Sequence, residues 1–203
     1  MALRISNLIS LVFHPVFMPF FTYLFLFKKG NEELFLVSAS IEKLVLIIVF
    51  INTALLPLLF SLSLKKMGII QSLRMRDATE RKYPYWFSLL AFAVTYYILL
   101  RAKLPVEFQR TACGGILALF LVTIITYRWK ISAHMTGMGG LCALVYGVQF
   151  GLPQSDVFMF PLFILLAGVV ATARLILQEH NLWQLLAGFY NGFIPVLLCW
   201  FFG

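Results

Sequence analysis

Apolar residues fall into long runs along this chain, and short polar stretches separate the runs. A helix that crosses a membrane needs about 20 mostly apolar residues. By that measure the pattern predicts about seven spans, and six spans fit it as well. The predicted spans cover residues 5–27, 44–64, 85–100, 111–127, 133–150, 157–177 and 182–202. Residues 34–41 form either an interfacial helix or an extension of the second span.

Composition supports an all-α membrane protein. Hydrophobic residues make up 62% of the 203 residues, charged residues only 12%, and the mean hydropathy is +0.93, values that exclude a soluble domain. The net charge of +8 lies mostly in the short polar stretches, which suits anionic lipid head groups and leaves no continuous basic face for nucleic acid. Because the chain has no repeat or soluble linker, residues 1–203 are predicted to form one integral membrane domain, a polytopic helical bundle.

Three connections between the predicted spans contain most of the charged residues and histidines that stand out in this apolar chain. With seven spans, the connections after the second, fourth and sixth lie on the same side of the membrane. They contain Arg74, Arg76, Asp77, Glu80, Arg81 and Lys82, then Arg128, Lys130, Ser132 and His134, then Arg174, Glu179, His180 and Asn181. Because polar groups in an apolar protein are costly unless they are used, these residues are predicted to form one site.

Two of these connections carry a recognisable spacing. Five residues separate Arg174 from His180, and Ser132 lies two positions before His134. In order and spacing, residues 74–192 resemble the type 2 phosphatidic acid phosphatase superfamily of membrane lipid phosphatases. The signature of that family is Lys, six residues and Arg-Pro, then Pro-Ser-Gly-His, then Ser-Arg, five residues, His, three residues and Asp.

The chain departs from this signature at several positions. Gln184 occupies the position of the family's Asp, and Ile131 and Ala133 replace the Pro and Gly of the second motif. The first motif is represented by Arg74 and Arg81, which six residues separate, with Arg76 and Lys82 as a rival pair.

The resemblance implies a fold, a reaction and a role for each matching residue. It implies a helical core like that of the family, and hydrolysis of a phosphate or pyrophosphate ester of a membrane lipid such as a prenyl pyrophosphate, a phosphatidic-type lipid or lipid A. His180 would attack phosphorus to form a phosphohistidine, and His134 would protonate the leaving oxygen and later help water attack. Gln184 would orient His180, and that scheme requires no metal ion or other cofactor. The implied phosphate ligands are Arg74, Arg81, Ser132 and Arg174.

Other functions stay open to different degrees. Because Gln184 cannot supply the charge of the family's carboxylate, the chain is alternatively a family member without turnover that binds phospholipid as a scaffold or partner subunit. A transporter is disfavoured because the middles of the spans are almost wholly apolar. An aspartate-rich prenyltransferase is disfavoured because the only aspartates, Asp77 and Asp156, fall on opposite sides.

Some of the polar residues also have a purely structural interpretation. Arg76 with Glu80, and Asp77 with Arg81, have the i to i+4 spacing of surface ion pairs in an amphipathic helix. His14, which precedes Pro15 inside the first run, is interpreted as a histidine that packs between helices or accompanies a kink.

Charge and resemblance point to different sides of the membrane. The predicted site side carries ten Lys and Arg residues and the other side six, which alone predicts a cytoplasmic site. Without Arg74, Arg81 and Arg174 the count is seven against six, which decides nothing. The resemblance implies the outer, periplasmic face of a bacterial inner membrane, and the oligomeric state stays open.

Overall fold

A computed structural model describes residues 1–30, 37–73, 75, 77, 79–151 and 158–203. Within these residues the secondary structure is helical and includes no strand. Arg74 and Arg76 lie outside the described residues, so their place in the site stays a prediction. The α-helices of the described chain are α1 (Ala2–Val12), α2 (Met18–Gly30), α3 (Ala39–Phe50), α4 (Leu56–Lys66), α5 (Lys82–Arg101), α6 (Val106–Thr126), α7 (Ala133–Gly151), α8 (Met159–Ile176) and α9 (Leu182–Phe202).

Six helical segments of the described chain are long and apolar enough to cross a membrane. This confirms the prediction of a polytopic helical membrane protein. The first segment joins α1 and α2, and the second joins α3 and α4. The six are Ala2–Lys29, Ala39–Lys66, Thr79–Arg101, Val106–Thr126, Met159–Ile176 and Leu182–Phe202.

Helix α7, the remaining predicted span, is the most interior helix of the bundle. It packs against α2, α6, α8 and α9, and 13 of its 19 residues are buried. His134 near its first turn lies against Ser10, and Gly147 near its other end lies against Trp200 of α9. Because neighbouring helices shield α7, its surface need not be as apolar as that of a lipid-facing span, and it is not one of the six segments above.

Glycines bring the backbones of the parallel helices α7 and α9 into direct contact. A Cβ atom added to Gly192 would fall on the carbonyl oxygen of Thr136, and one added to Gly139 would fall on that of Phe189. A Cβ on Gly188 would approach the Ser132 oxygen to 2.5 Å. Small residues at such positions allow close helix packing in membranes, and here they hold the starts of both helices side by side.

Replacing Gly192 with alanine is expected to destabilise this helix pair. The new methyl group has no room against the backbone of α7, so the free energy of unfolding should fall by about 1–3 kcal/mol. The matched control is Gly168→Ala in α8, where an added Cβ meets no atom within 4 Å. Thermal unfolding in detergent should show a lower midpoint for Gly192→Ala alone, and equal midpoints for the two variants would contradict the packing argument.

The first predicted span is not continuous, which corrects the expectation of one helix over residues 5–27. Helix α1 ends at Val12, a 3-10 turn follows at Pro15–Phe17, and α2 begins at Met18. Pro15 has no N–H to donate to the carbonyl of Leu11, and a residue that precedes proline avoids the helical conformation. His14 accordingly has an extended backbone, with φ −64° and ψ 137°.

The connection between α4 and α5 is not an amphipathic helix, which corrects that interpretation for its described residues. They form turns up to a 3-10 turn at Thr79–Arg81. Glu80 closes the connection through a carboxylate oxygen that accepts a 2.7 Å hydrogen bond from the Gln71 N–H. Asp77 accepts a hydrogen bond from the Thr79 N–H instead of pairing along a helix face.

Candidate active site

A cavity of about 780 Å³ begins at one end of the bundle and continues into its interior. Arg81, His134, Arg174 and His180 line its polar end. These residues come from three connections that the sequence places far apart, and the fold brings them to one cavity. Ser132, in contrast, does not line it.

His180 is held by the first turn of α9. Its Nδ1 atom lies 3.2 Å from Oε1 of Gln184. The same Oε1 accepts a hydrogen bond from the Asn181 N–H, and the Asn181 side chain accepts one from the Gln184 N–H, which is a capping box. Since Oε1 already accepts from a backbone N–H, it must also be the acceptor toward His180. Nδ1 therefore carries the proton, and the lone pair of the neutral ring is on Nε2.

The end of α8 turns the chain so that His180 faces the cavity. The Gln178 N–H donates to the carbonyl of Leu175, and the Glu179 N–H donates to that of Arg174, the pair of bonds that defines a Schellman motif. Gln178 has the left-handed conformation that this motif requires, with φ 53°. The motif fixes Arg174 on the last turn of α8 and His180 directly after it.

Burial and neighbouring cations keep His180 neutral. Burial is the largest cause, followed by the positive charges of Arg174, Arg81 and Lys130. Together they lower the pKa of His180 to about 3, although the hydrogen bond that His180 donates to Gln184 acts in the opposite direction. A neutral imidazole with a free Nε2 lone pair is the nucleophilic form of histidine. The cations that disfavour its protonated form are also suited to an anionic ligand.

His134 contacts the broken first span. Its Nε2 atom lies 3.0 Å from the backbone carbonyl oxygen of Ser10. The ring of His14 lies edge-on to the ring of His134, with 5.4 Å between the ring centres. The Arg174 guanidinium donates a 3.3 Å hydrogen bond to the Ser10 hydroxyl, so Ser10 contacts two of the predicted site residues.

Arg81 donates hydrogen bonds to backbone carbonyls in both of the first two connections. Its Nε donates to the carbonyl of Met75 at 2.9 Å, and its Nη1 donates to that of Ile131 at 3.3 Å. The residue is buried. Lys130, which follows α6, lies 3.7 Å from a carboxylate oxygen of Glu179, so the second connection also contacts the third.

Ser132 bonds to backbone groups and does not face the cavity. It is fully buried, its hydroxyl accepts a 3.4 Å hydrogen bond from the Met135 N–H, and its own N–H donates to the carbonyl of Gln184. It therefore caps the start of α7 and joins it to the first turn of α9. Its predicted contact with phosphate stays a prediction.

Ser10 and His14 are the site residues that the sequence analysis missed. His14 was interpreted as a kink histidine, and the kink is present, but His14 also lines the cavity. The available signal was a serine, a histidine and a proline at positions 10, 14 and 15 of an otherwise apolar run, since interrupted membrane helices often supply binding sites.

Beyond its polar end, the cavity is lined by apolar side chains and by hydroxyls that are already bonded. It reaches Thr95, which is 13 residues or about 20 Å along α5 from Lys82. The hydroxyl groups of seven lining residues each donate to a carbonyl four residues earlier in the chain. They are Thr22, Thr53, Ser61, Ser88, Thr95, Thr111 and Thr136.

Comparison of the chain with protein-family models, curated proteins and solved structures finds no match. Among the described residues, no group of three or more His, Cys, Asp or Glu side chains lies together as metal ligands do.

Proposed function

We propose that this protein is a membrane lipid phosphatase that hydrolyses a phosphate or pyrophosphate ester of a lipid through a phosphohistidine on His180. The observation that carries the proposal is the Nε2 lone pair of His180, which Gln184 orients at the cationic end of a cavity that continues into the apolar interior.

The cationic end suits the phosphoryl group. Arg81 and Arg174 supply planar guanidinium groups that match phosphate oxygens. Helices α5, α7 and α9 all begin at this end, and the positive ends of their dipoles favour an anion there. A bound phosphoryl group would balance the charges that hold His180 neutral.

The proposed reaction has two displacements at phosphorus. His180 Nε2 attacks phosphorus, the bond from phosphorus to the lipid oxygen breaks, and His134 gives a proton to that oxygen, so the lipid product leaves as an alcohol or a lower phosphate. Water then attacks the phosphohistidine, His134 takes a proton from that water, and the bond between phosphorus and Nε2 breaks. Inorganic phosphate leaves, and both histidines return to their starting states.

The interior part of the cavity suits a hydrocarbon chain. The volume of the whole cavity, about 780 Å³, lies within the range of ligand pockets, roughly 300–1,000 Å³. Because the lining hydroxyls already donate to the backbone, they present little unmet polarity to a chain. This feature favours a lipid ester over a soluble phosphate as the substrate.

Phosphate release by the purified protein tests the proposal. Detergent-solubilised protein is incubated with a prenyl pyrophosphate, a phosphatidic acid or lipid A, with a chelator present. Release from at least one lipid, together with acid-labile, base-stable phosphate on the protein, is expected. Release that depends on added divalent metal would contradict the metal-independent scheme.

Phospholipid binding without turnover is the second candidate, and Gln184 in place of a carboxylate favours it. An amide orients His180 but adds no charge to stabilise the positive ring formed on phosphorylation. This candidate predicts retention of a phosphatidic-type lipid through purification with no release of phosphate. Turnover of any lipid in the panel would exclude it.

Restoring a carboxylate through Gln184→Glu is expected to raise the maximal rate about tenfold, the difference between a charge-assisted and a neutral hydrogen bond. A glutamate also keeps the capping box with Asn181. The negative charge should raise the pKa of His180 above its value of about 3, so activity should be lost at a higher pH on the acidic side. The pH dependence of kcat/KM measures this shift, with Gln184→Ala as the variant expected to lose activity.

A further inference from the structure

The interruption of the first span has a specific effect on one backbone carbonyl. In a continuous helix, the carbonyl of Ser10 would accept from the N–H of His14, and that of Leu11 from residue 15. Residue 15 is proline and has no N–H. The His14 N–H donates to Leu11 instead, at 3.3 Å, and the Ser10 carbonyl is left for a partner outside α1.

The partner of that carbonyl is the ring of His134, at 3.0 Å from Nε2. A carbonyl oxygen only accepts hydrogen bonds, so Nε2 must carry a proton. In the neutral ring, Nδ1 is then the unprotonated nitrogen. The bond to Ser10 persists when the ring is doubly protonated, because Nε2 donates in both states.

We propose that the break at Pro15 is a fourth arm of the active site, beside the three connections that supply Arg81, His134 and His180. In this arm the Ser10 carbonyl is a positioning group that holds the Nε2 proton of His134 and leaves Nδ1 to exchange protons with substrate and water. The role of His134 in this inference rests on the proposed function, whereas its tautomer does not. The neutral ring takes up a proton at Nδ1 from the bound monoanionic phosphate ester, and in the first displacement that proton goes to the leaving oxygen. In the second, Nδ1 takes a proton from water and then gives it to the departing inorganic phosphate, so the Nε2 proton stays on His134, bonded to the Ser10 carbonyl, throughout.

The other contacts of this arm support a fixed geometry. Arg174 donates to the Ser10 hydroxyl. Ser10 therefore positions His134 through its carbonyl and contacts Arg174, a proposed phosphate ligand, through its side chain. His14 accepts a 3.5 Å contact from the Val16 N–H through Nδ1, which caps the 3-10 turn. This holds the His14 ring beside that of His134.

The chain contains only three histidines, which makes the tautomer of His134 directly measurable. Protein labelled with ¹⁵N-histidine in detergent micelles gives ring signals that the variants His14→Gln and His180→Gln assign. At neutral pH, His134 is expected to show a protonated Nε2 and an unprotonated Nδ1. A wild-type spectrum with a proton on Nδ1 and none on Nε2 would overturn the inference, whatever the enzymatic activity.

Three variants test whether the break itself holds this tautomer. Pro15→Ala lets residues 10–15 form helical hydrogen bonds that compete for the Ser10 carbonyl, so the His134 signals should shift toward a mixture of tautomers. Its kcat should fall about 10- to 100-fold, by comparison with the loss when a group that orients a metal-bound histidine is removed, with KM changed less than about twofold. Ser10→Ala keeps the carbonyl and should keep the wild-type tautomer, as should Pro19→Ala in the first turn of α2.

The tautomer measurements test the inference, and the phosphate-release measurements test the proposed function, so the two can fail independently. An unchanged His134 tautomer in folded Pro15→Ala would overturn it, and the wild-type spectrum still decides the question if that variant does not fold. A protein that shows the expected tautomers but releases phosphate from no lipid would refute the proposed function and leave the arm intact.

Discussion

Replacing His180 with alanine is expected to reduce lipid phosphate release by about 10⁴-fold or more, because loss of a covalent nucleophile removes the reaction path and not only an interaction. The variant should also lose the acid-labile phosphate that wild-type protein retains after rapid quenching with labelled substrate. Rates of phosphate release and the amount of protein-bound label measure the two effects independently.

The control for this variant is Leu182→Ala. Leu182 lies two residues away and is 56% exposed, so its truncation should leave both the rate and the label unchanged. Melting temperatures of the two variants separate loss of the nucleophile from loss of the fold. Phosphate release by His180→Ala within tenfold of the wild-type rate would contradict the assignment of the nucleophile.

Replacing Arg174 with glutamine is expected to lower kcat/KM by about 10²- to 10³-fold, as the loss of a donor to developing phosphoryl charge does in other sites. Arg174→Lys should restore only part of the loss, because an ammonium cannot make the paired hydrogen bonds of a guanidinium. Removing this charge also removes the largest cause, after burial, of the low pKa of His180. That pKa should rise, and activity should be lost at a higher pH on the acidic side.

Arg101→Gln is the matched control, since Arg101 is an exposed cation at the opposite end of α5. Steady-state kinetics over a pH series measure both the rate and the pKa effects. A rate for Arg174→Gln within threefold of wild type, with an unmoved acidic limb, would remove Arg174 from the site.

The sequence was sufficient to predict a polytopic helical membrane protein, though not the break in the first span, and the end of the bundle where the polar residues lie. Long apolar runs specify membrane helices because a bilayer leaves the backbone almost no other structure. Arg81, His134, Arg174 and His180 could be brought to one face by counting spans, since each lies at a span end. Their roles in catalysis stay predictions.

Contacts within the membrane could not be predicted in the same way. A pattern of apolar residues does not show which side of a helix meets which neighbour, so nothing in the sequence placed Ser10 beside His134 and Arg174. Gln184 was expected to orient His180, but that expectation came from the resemblance and not from a contact that the sequence shows. The structure places Gln184 against its ring, while Glu80 bonds a backbone N–H and Glu179 lies near Lys130.

The bonded hydroxyls along the cavity have a consequence for the path of water. A buried water needs about two to four polar partners, and each of these hydroxyls has already used its only proton on a carbonyl four residues earlier in the chain. These hydroxyls can still accept a hydrogen bond but offer water no proton, so the interior has few complete partners for water, and the water that would hydrolyse a phosphohistidine would arrive from the cationic end. In the proposed reaction that water would attack phosphorus opposite Nε2, on the face that the lipid oxygen has left, so the lipid product would have to withdraw toward the bilayer before water enters and phosphate is released to the solvent.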